Sequence, residues 1–146
     1  MNWGSTRRHN YRSEDIKSAL ARHCPTGIDV YFDNVGGPII DAVLEKINLT
    51  ARIALCGMIS DYTREQGMGI TNLRHLIFKR ARIEGFLVLD YGPRAMEAMQ
   101  ALGGWLQEGR LKHKVDLVQG LENVIPAMNR LLTGANTGKV IVKLAS

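Results

Sequence analysis

The residues with the most chemical promise stand together at Asn34, Gly36 and Gly37. They follow an apolar, β-branched and aromatic run, Ile28 and Val30 to Phe32, that passes through Asp33. Pro38 comes directly after them and opens an amphipathic stretch with Ile39, Ile40, Val43, Leu44 and Ile47 on one face. That order predicts a buried strand over 28–33, a tight glycine turn, and a helix over 38–48 with proline in its first turn. In open parallel sheets ligands bind in the crevice at the carboxyl ends of the strands, where this turn would fall. A small amide and two backbones without side chains suit a flat or phosphate-bearing cofactor there. A purely structural βα turn uses the same residue types, and the segment by itself leaves both readings open.

The flanking elements must hold that turn in place. Ser13 is the expected N-cap of a helix carrying Ile16, Ala19 and Leu20, which stops before Pro25 and Gly27. A second strand is expected over 51–56, ending in Gly57, then a loop from Met58 to Ile70. Leu73, Leu76 and Ile77 mark a short helix, and Ile83 to Leu89 a third strand. The longest helix is expected over 93–107, with Met96, Met99, Leu102 and Leu106 as a core-facing stripe and Gly109 as its stop. A strand over 112–118, a helix over 122–132 ended by Gly134, and a strand over 140–144 complete the chain. Residues 1–10 show no periodicity and read as a loose arm.

Strands alternating with helices predict an α/β fold with a parallel sheet. A complete dinucleotide-binding sheet is built from two βαβαβ halves, and residues 28–89 supply only three strands. The phosphate-cradling G-x-G-x-x-G turn of a first half is absent from the sequence. The chain therefore reads as the back end of a larger enzyme.

Composition narrows the function classes. The 146 residues are 45% hydrophobic and 23% charged, ordinary for a globular domain with a real core. No apolar run approaches the roughly 20 residues of a membrane helix, and the amino terminus lacks the apolar stretch of a secretory signal. Cys24 and Cys56 stand alone, without the spacing of a zinc site or a disulfide framework, and suit a reducing cytoplasm. The net charge is +5, but the 19 Lys and Arg are spread along the chain. The densest cluster, Lys79-Arg80-Ala81-Arg82, falls at an expected helix end, where cations are favourable on dipole grounds alone. Neither nucleic acid nor a membrane is an expected partner.

Five motifs carry a resemblance: Asn10-Tyr11-Arg12; Val30-Tyr31-Phe32-Asp33-Asn34-Val35-Gly36-Gly37; Ala51-Arg52-Ile53 leading to Cys56-Gly57-Met58-Ile59-Ser60-Asp61-Tyr62; Lys79 to Phe86; and Gly134-Ala135-Asn136-Thr137-Gly138-Lys139. In this order the chain resembles the C-terminal part of the zinc-independent medium-chain dehydrogenase/reductase family, in the branch of prostaglandin reductases, leukotriene hydroxydehydrogenases and alkenal double-bond reductases. The motifs span residues 10–145, and residues 1–9 have no counterpart. The resemblance implies that residues 10–110 are the latter part of a Rossmann-type NADP-binding domain. Residues 111–146 would return to a GroES-like substrate domain. Similar enzymes pass hydride from NADPH to the β-carbon of enones and enals, stabilise the charge developing on the carbonyl oxygen, and protonate the α-carbon.

The same resemblance assigns roles position by position. Tyr11 would lie near the adenosine 2′-phosphate; as a plain strand-end tyrosine it would only keep a wet tip. Asn34 would contact the cofactor, or serve as a turn former. Cys56, Gly57, Met58, Ile59, Ser60 and Tyr62 match a loop that wraps the nicotinamide half, with Gly57 allowing close backbone approach. Tyr62 is the candidate catalytic residue, a phenol able to hydrogen-bond the carbonyl oxygen or relay a proton; the alternative is a binding wall. Phe86, Leu87 and Val88 match backbone contacts to the nicotinamide, although apolar strand residues are core by default. Asn136 matches a further cofactor contact, and no metal site is implied. The lysine that grips the 2′-phosphate and the pyrophosphate loop both lie upstream in the family, so this chain alone is expected to bind cofactor weakly or not at all.

Two functions compete at this stage. One is a segment of an NADP-dependent enone or enal reductase, with strand 83–89 as a candidate homodimer edge. The other is a truncated, inactive remnant that acts at most as an oligomerisation or interaction module. Intact Asn34, Tyr62 and Asn136 favour the first, and the unmatched start at Trp3-Gly4-Ser5-Thr6 favours the second.

Overall fold

A computed structural model describes residues 9–11, 13–62, 65–67 and 69–144. The expected amino-terminal arm lies outside the described residues apart from His9 and Asn10. The chain divides between Pro93 and Arg94 into two units, each with its own parallel sheet.

In the first unit, helix α1 (Ile16–His23) is followed by strand β1 (Ile28–Asp33), helix α2 (Gly37–Leu44), strand β2 (Ile47–Leu55), helix α3 (Arg74–Lys79) and strand β3 (Arg82–Gly85). The strands pair in parallel in the order β1-β2-β3. The core is the apolar face of α2 laid on β2: Ile40, Val43 and Leu44 pack with Ile47, Ala51 and Ile53, all buried. Register slips between Ile28↔Ile47 and Val30↔Arg52, and Thr50 takes a left-handed φ of 61° beside that slip. The irregularity lets β2 run for nine residues against the six of β1.

Several expected boundaries move. The N-cap of α1 is Asp15, whose carboxylate accepts from the Ser18 N–H, while the Ser13 hydroxyl donates to the Asn10 carbonyl. Helix α2 stops at Leu44 instead of 48, because Glu45 and Lys46 turn the chain and Ile47 already belongs to β2. Strand β1 is buried on one face only: Val30 is 74% exposed and Phe32 55%, on the sheet face away from α2. Strand β3 ends at Gly85, and Val88–Arg94 wind into a 3-10 turn with Pro93 inside, so the expected strand over 83–89 is shortened. The Lys79–Arg82 cluster does fall at the helix–strand junction, with Arg80 as the left-handed C-cap of α3.

The second unit holds helix α4 (Ala95–Gln107), strand β4 (Val115–Gln119), a 3-10 turn at Leu121–Asn123, helix α5 (Val124–Thr133) and strand β5 (Lys139–Lys143). Strands β4 and β5 pair in parallel from Val115↔Lys139 to Gln119↔Lys143, joined through α5 as in a βαβ unit. Gly134 caps α5 in the left-handed region, as its position predicts. Met96 and Met99 are each 64% exposed, so the expected core stripe of α4 is a surface stripe here. Among the described residues no helix is long and apolar enough to cross a membrane.

Candidate active site

The site grows from the carboxyl ends of β1 and β2. Strand β1 ends in Asp33, whose carboxylate accepts the N–H groups of Val35 at 2.8 Å and Gly36 at 3.1 Å and so closes the turn into α2. Gly36 sits at φ 71°, ψ −152°, a conformation essentially reserved for glycine. A Cβ there would also press on the Met58 side chain at 3.2 Å.

The segment after β2 is stitched to that turn by backbone hydrogen bonds. The N–H groups of Cys56 and Gly57 donate to the Asp33 carbonyl at 2.8 and 3.2 Å. Those of Ile59 and Ser60 donate to the carbonyls of Asn34 and Val35 at 3.3 and 3.1 Å. Farther along the same loop, the Asp41 carboxylate on α2 accepts the N–H groups of Thr71 and Asn72 and the Thr71 hydroxyl. The loop that carries Tyr62 is thus tied at both ends to one βα unit.

An open cleft of about 490 Å³ lies beside this scaffold, lined by Leu55, Cys56, Gly57, Met58, Tyr62, Gly85, Phe86, Leu87 and Asp90. Tyr62 is 71% exposed, and its hydroxyl accepts the Met58 N–H at 3.3 Å. With that lone pair engaged, the phenolic proton is free to donate elsewhere. Gly57 keeps the wall bare next to it: a Cβ would stand 3.1 Å from the Tyr62 hydroxyl and 3.4 Å from the Asn34 carbonyl. Phe86 is braced between Phe32 and Tyr91, ring centroids 6.0 Å from each.

Six of the expected site residues therefore share one cleft, and Asn34 stands behind its Gly57 wall. Tyr11 and Ser60 line a separate hollow of about 370 Å³ together with Glu14, Asp15 and Gly36. Ile59 is exposed and tied to Asn34, while Val88 opens the 3-10 turn and does not line the cleft. Asn136 belongs to the second unit, where its side-chain amide donates to the Gly138 carbonyl at 2.9 Å. Leu55, Gly85 and Asp90 are cleft residues that the sequence reading missed; the Asp90 carboxylate, after an apolar run, was the available signal.

The lining suits one part of a dinucleotide better than another. Leu55, Met58, Phe86 and Leu87 offer apolar walls, and the bare backbones of Gly57 and Gly85 leave room for a flat ring. None of the described lining residues is cationic, and Asp90 is anionic, so the cleft does not fit a phosphate. No group of three or more His, Cys, Asp or Glu is placed to hold a metal ion among the described residues.

Comparison with known proteins gives a consistent placement. Residues 3–142 match the family described as zinc-binding dehydrogenase, a range that begins inside the stretch expected to have no counterpart. The chain is 44% identical over 137 residues to the NADP(+)-dependent 2-alkenal reductase of Nicotiana tabacum, and 38% over 142 residues to the NADPH-dependent curcumin reductase of Escherichia coli. These matches take in 93% of this chain but only 40% and 41% of those proteins. The crystal structure of CurA from Vibrio vulnificus in complex with NADPH superposes with a TM-score of 0.81 at 38% identity, covering 94% of this chain and 42% of that one. The chain spans about two fifths of the length of the curated relatives it matches. By its family match and these identities, this chain belongs to the zinc-binding dehydrogenase family of medium-chain dehydrogenases/reductases, in the branch of the double-bond reductases.

Proposed function

We propose that the chain is the part of an NADP-dependent double-bond reductase that receives the nicotinamide and the carbonyl end of an α,β-unsaturated aldehyde or ketone. The bond from the Met58 N–H to the Tyr62 hydroxyl carries this reading, because it leaves a phenolic proton facing an apolar cleft with bare backbone walls. When bound, NADPH supplies hydride to the substrate β-carbon. Gly57, Phe86 and Leu87 hold a flat ring against the wall, and Tyr62 donates to the carbonyl oxygen as negative charge develops there. Asn34, Ile59 and Ser60 shape the wall from behind, with Val88 following Leu87. Tyr11 and Asn136 serve the remainder of the cofactor. In this reading residues 10–110 are the latter part of the cofactor domain, and residues 111–146 are the segment returning to a substrate domain. The names of the tobacco and Escherichia coli relatives, both NADP(H)-dependent reductases, support the cofactor and the reaction class.

A homodimer formed through the exposed edge of β3 is part of the same proposal, with the exposed Leu87, Val88 and Leu89 beside that edge. The protein is expected to act in the cytoplasm, consistent with the free thiols of Cys24 and Cys56.

Calorimetry with NADPH and NADH on the 146-residue chain, followed by an assay of 2-alkenal consumption at 340 nm, tests the reading. Micromolar affinity favouring NADPH supports it. A folded chain that binds neither nucleotide overturns it for the isolated chain and favours the remnant.

A further inference from the structure

Asp33 is 1% exposed and is the buried charged side chain among the described residues. Its described hydrogen-bond partners are the N–H groups of Val35 and Gly36, neither of them a cation. A carboxylate withdrawn from water without a cation costs free energy unless its lone pairs are filled by donors. An apolar residue would extend the strand at lower cost, so the carboxylate is explained by what it organises. Two backbone donors fix the chain from Asp33 to Gly36. That segment in turn offers the carbonyls of Asp33, Asn34 and Val35 to the N–H groups of Cys56, Gly57, Ile59 and Ser60. The cleft wall and the start of the Tyr62 loop therefore hang from this one side chain.

We propose that Asp33 is a positioning residue that sets the shape of the cleft wall over residues 56–60 through the 33–36 turn. Its connection to cofactor binding rests on the proposed function; its control of the wall does not.

The test is the Asp33→Asn chain, read by amide hydrogen exchange and by NADPH calorimetry. The amide keeps the shape of the carboxylate but removes the charge and replaces one acceptor with a donor. Loss of charge-assisted bonds should lower the protection of Ile59 and Ser60 by roughly 10- to 100-fold. Ala19 and Leu20 in α1 should be unaffected, and NADPH affinity should fall by about tenfold or more. Unchanged protection at Ile59 and Ser60 overturns the proposal. Lowered protection with wild-type NADPH affinity upholds the control of the wall and overturns its connection to cofactor binding. If the unaltered chain binds no NADPH, the proposed function fails while the exchange arm still decides the role of Asp33. Should Asp33→Asn not fold, Asp33→Glu keeps the charge and shifts the carboxylate by one methylene from the Val35 and Gly36 amides. A roughly threefold fall in protection at the same two amides is then expected, and no fall overturns the proposal.

Discussion

The Met58 amide donates to the Tyr62 hydroxyl at 3.3 Å, and the two residues belong to one tight stretch of loop. The bond runs toward the phenolic oxygen, so the tyrosine is held without using its own proton. An exposed tyrosine without such an anchor would sweep the cleft mouth. This one presents its O–H from a fixed wall, which favours donation to a charge that builds up during reaction.

On the function proposed above, replacing Tyr62 by Phe should reduce turnover of an enal by roughly 100-fold. The KM for NADPH should change little, the pattern of a contact made chiefly in the transition state. Steady-state kinetics on an active form of the enzyme separates the two parameters. A variant that loses NADPH affinity and keeps kcat would make Tyr62 a binding wall instead.

Gly36→Ala should be costly. The φ of 71° with ψ near −152° is hostile to a side chain, and the new Cβ would meet Met58 at 3.2 Å. Strain of this kind costs about 1–3 kcal/mol, to be read from the urea midpoint with an unchanged slope.

Asp41 clips the far end of the Tyr62 loop to α2, and its titration carries a signed prediction. Partial burial pushes this carboxyl up, but the Thr71 hydroxyl and the Asn72 and Thr71 amides together hold it below its ordinary value. A carboxyl lowered in the folded state contributes fully above its unfolded pKa. It loses that contribution as pH falls through the lower folded value. Asp41→Asn should thus destabilise by about 1 kcal/mol at neutral pH. The difference from the unaltered chain should vanish in strong acid, as seen in melting curves across pH.

Tyr31 behaves in the opposite sense at the alkaline end. Burial raises its phenol well above the ordinary tyrosine range, and the adjacent Asp33 charge and hydrogen bond raise it further. Its contribution is complete below the unfolded phenol pKa and is lost as pH rises through the folded value. In an absorbance titration Tyr31 should ionise together with alkaline unfolding, and Tyr31→Phe should delete that late step.

Where the sequence reading succeeded, one physical signal dominated. The run at 28–33 is β-branched and aromatic, Gly134 closes an amphipathic stretch, and both kept their places. Where it failed, a residue satisfied two patterns at once. Ile47 continues the apolar face of α2 by spacing, yet it opens β2, because apolar character serves either period. Phe86 to Leu89 form an apolar run with no period, so nothing marked the end of β3 at Gly85. The stripe of Met96 and Met99 is amphipathic as expected, but amphipathicity does not name the surface that covers it. Within the site, Gly57, Met58 and Tyr62 were legible because they sit close together in the chain. Asp90 and Leu55 reach the cleft only through the sheet, which spacing cannot reveal.

The order of the first sheet has a consequence for how the chain is made. Strands β1, β2 and β3 lie side by side in the order in which a ribosome releases them. Each strand meets its neighbour once a single intervening segment has emerged, from Ile28↔Ile47 to Arg52↔Arg82. Among the described strands of this sheet each pairs with the next in sequence, so these pairings can form in order during synthesis, with few long closures to delay them.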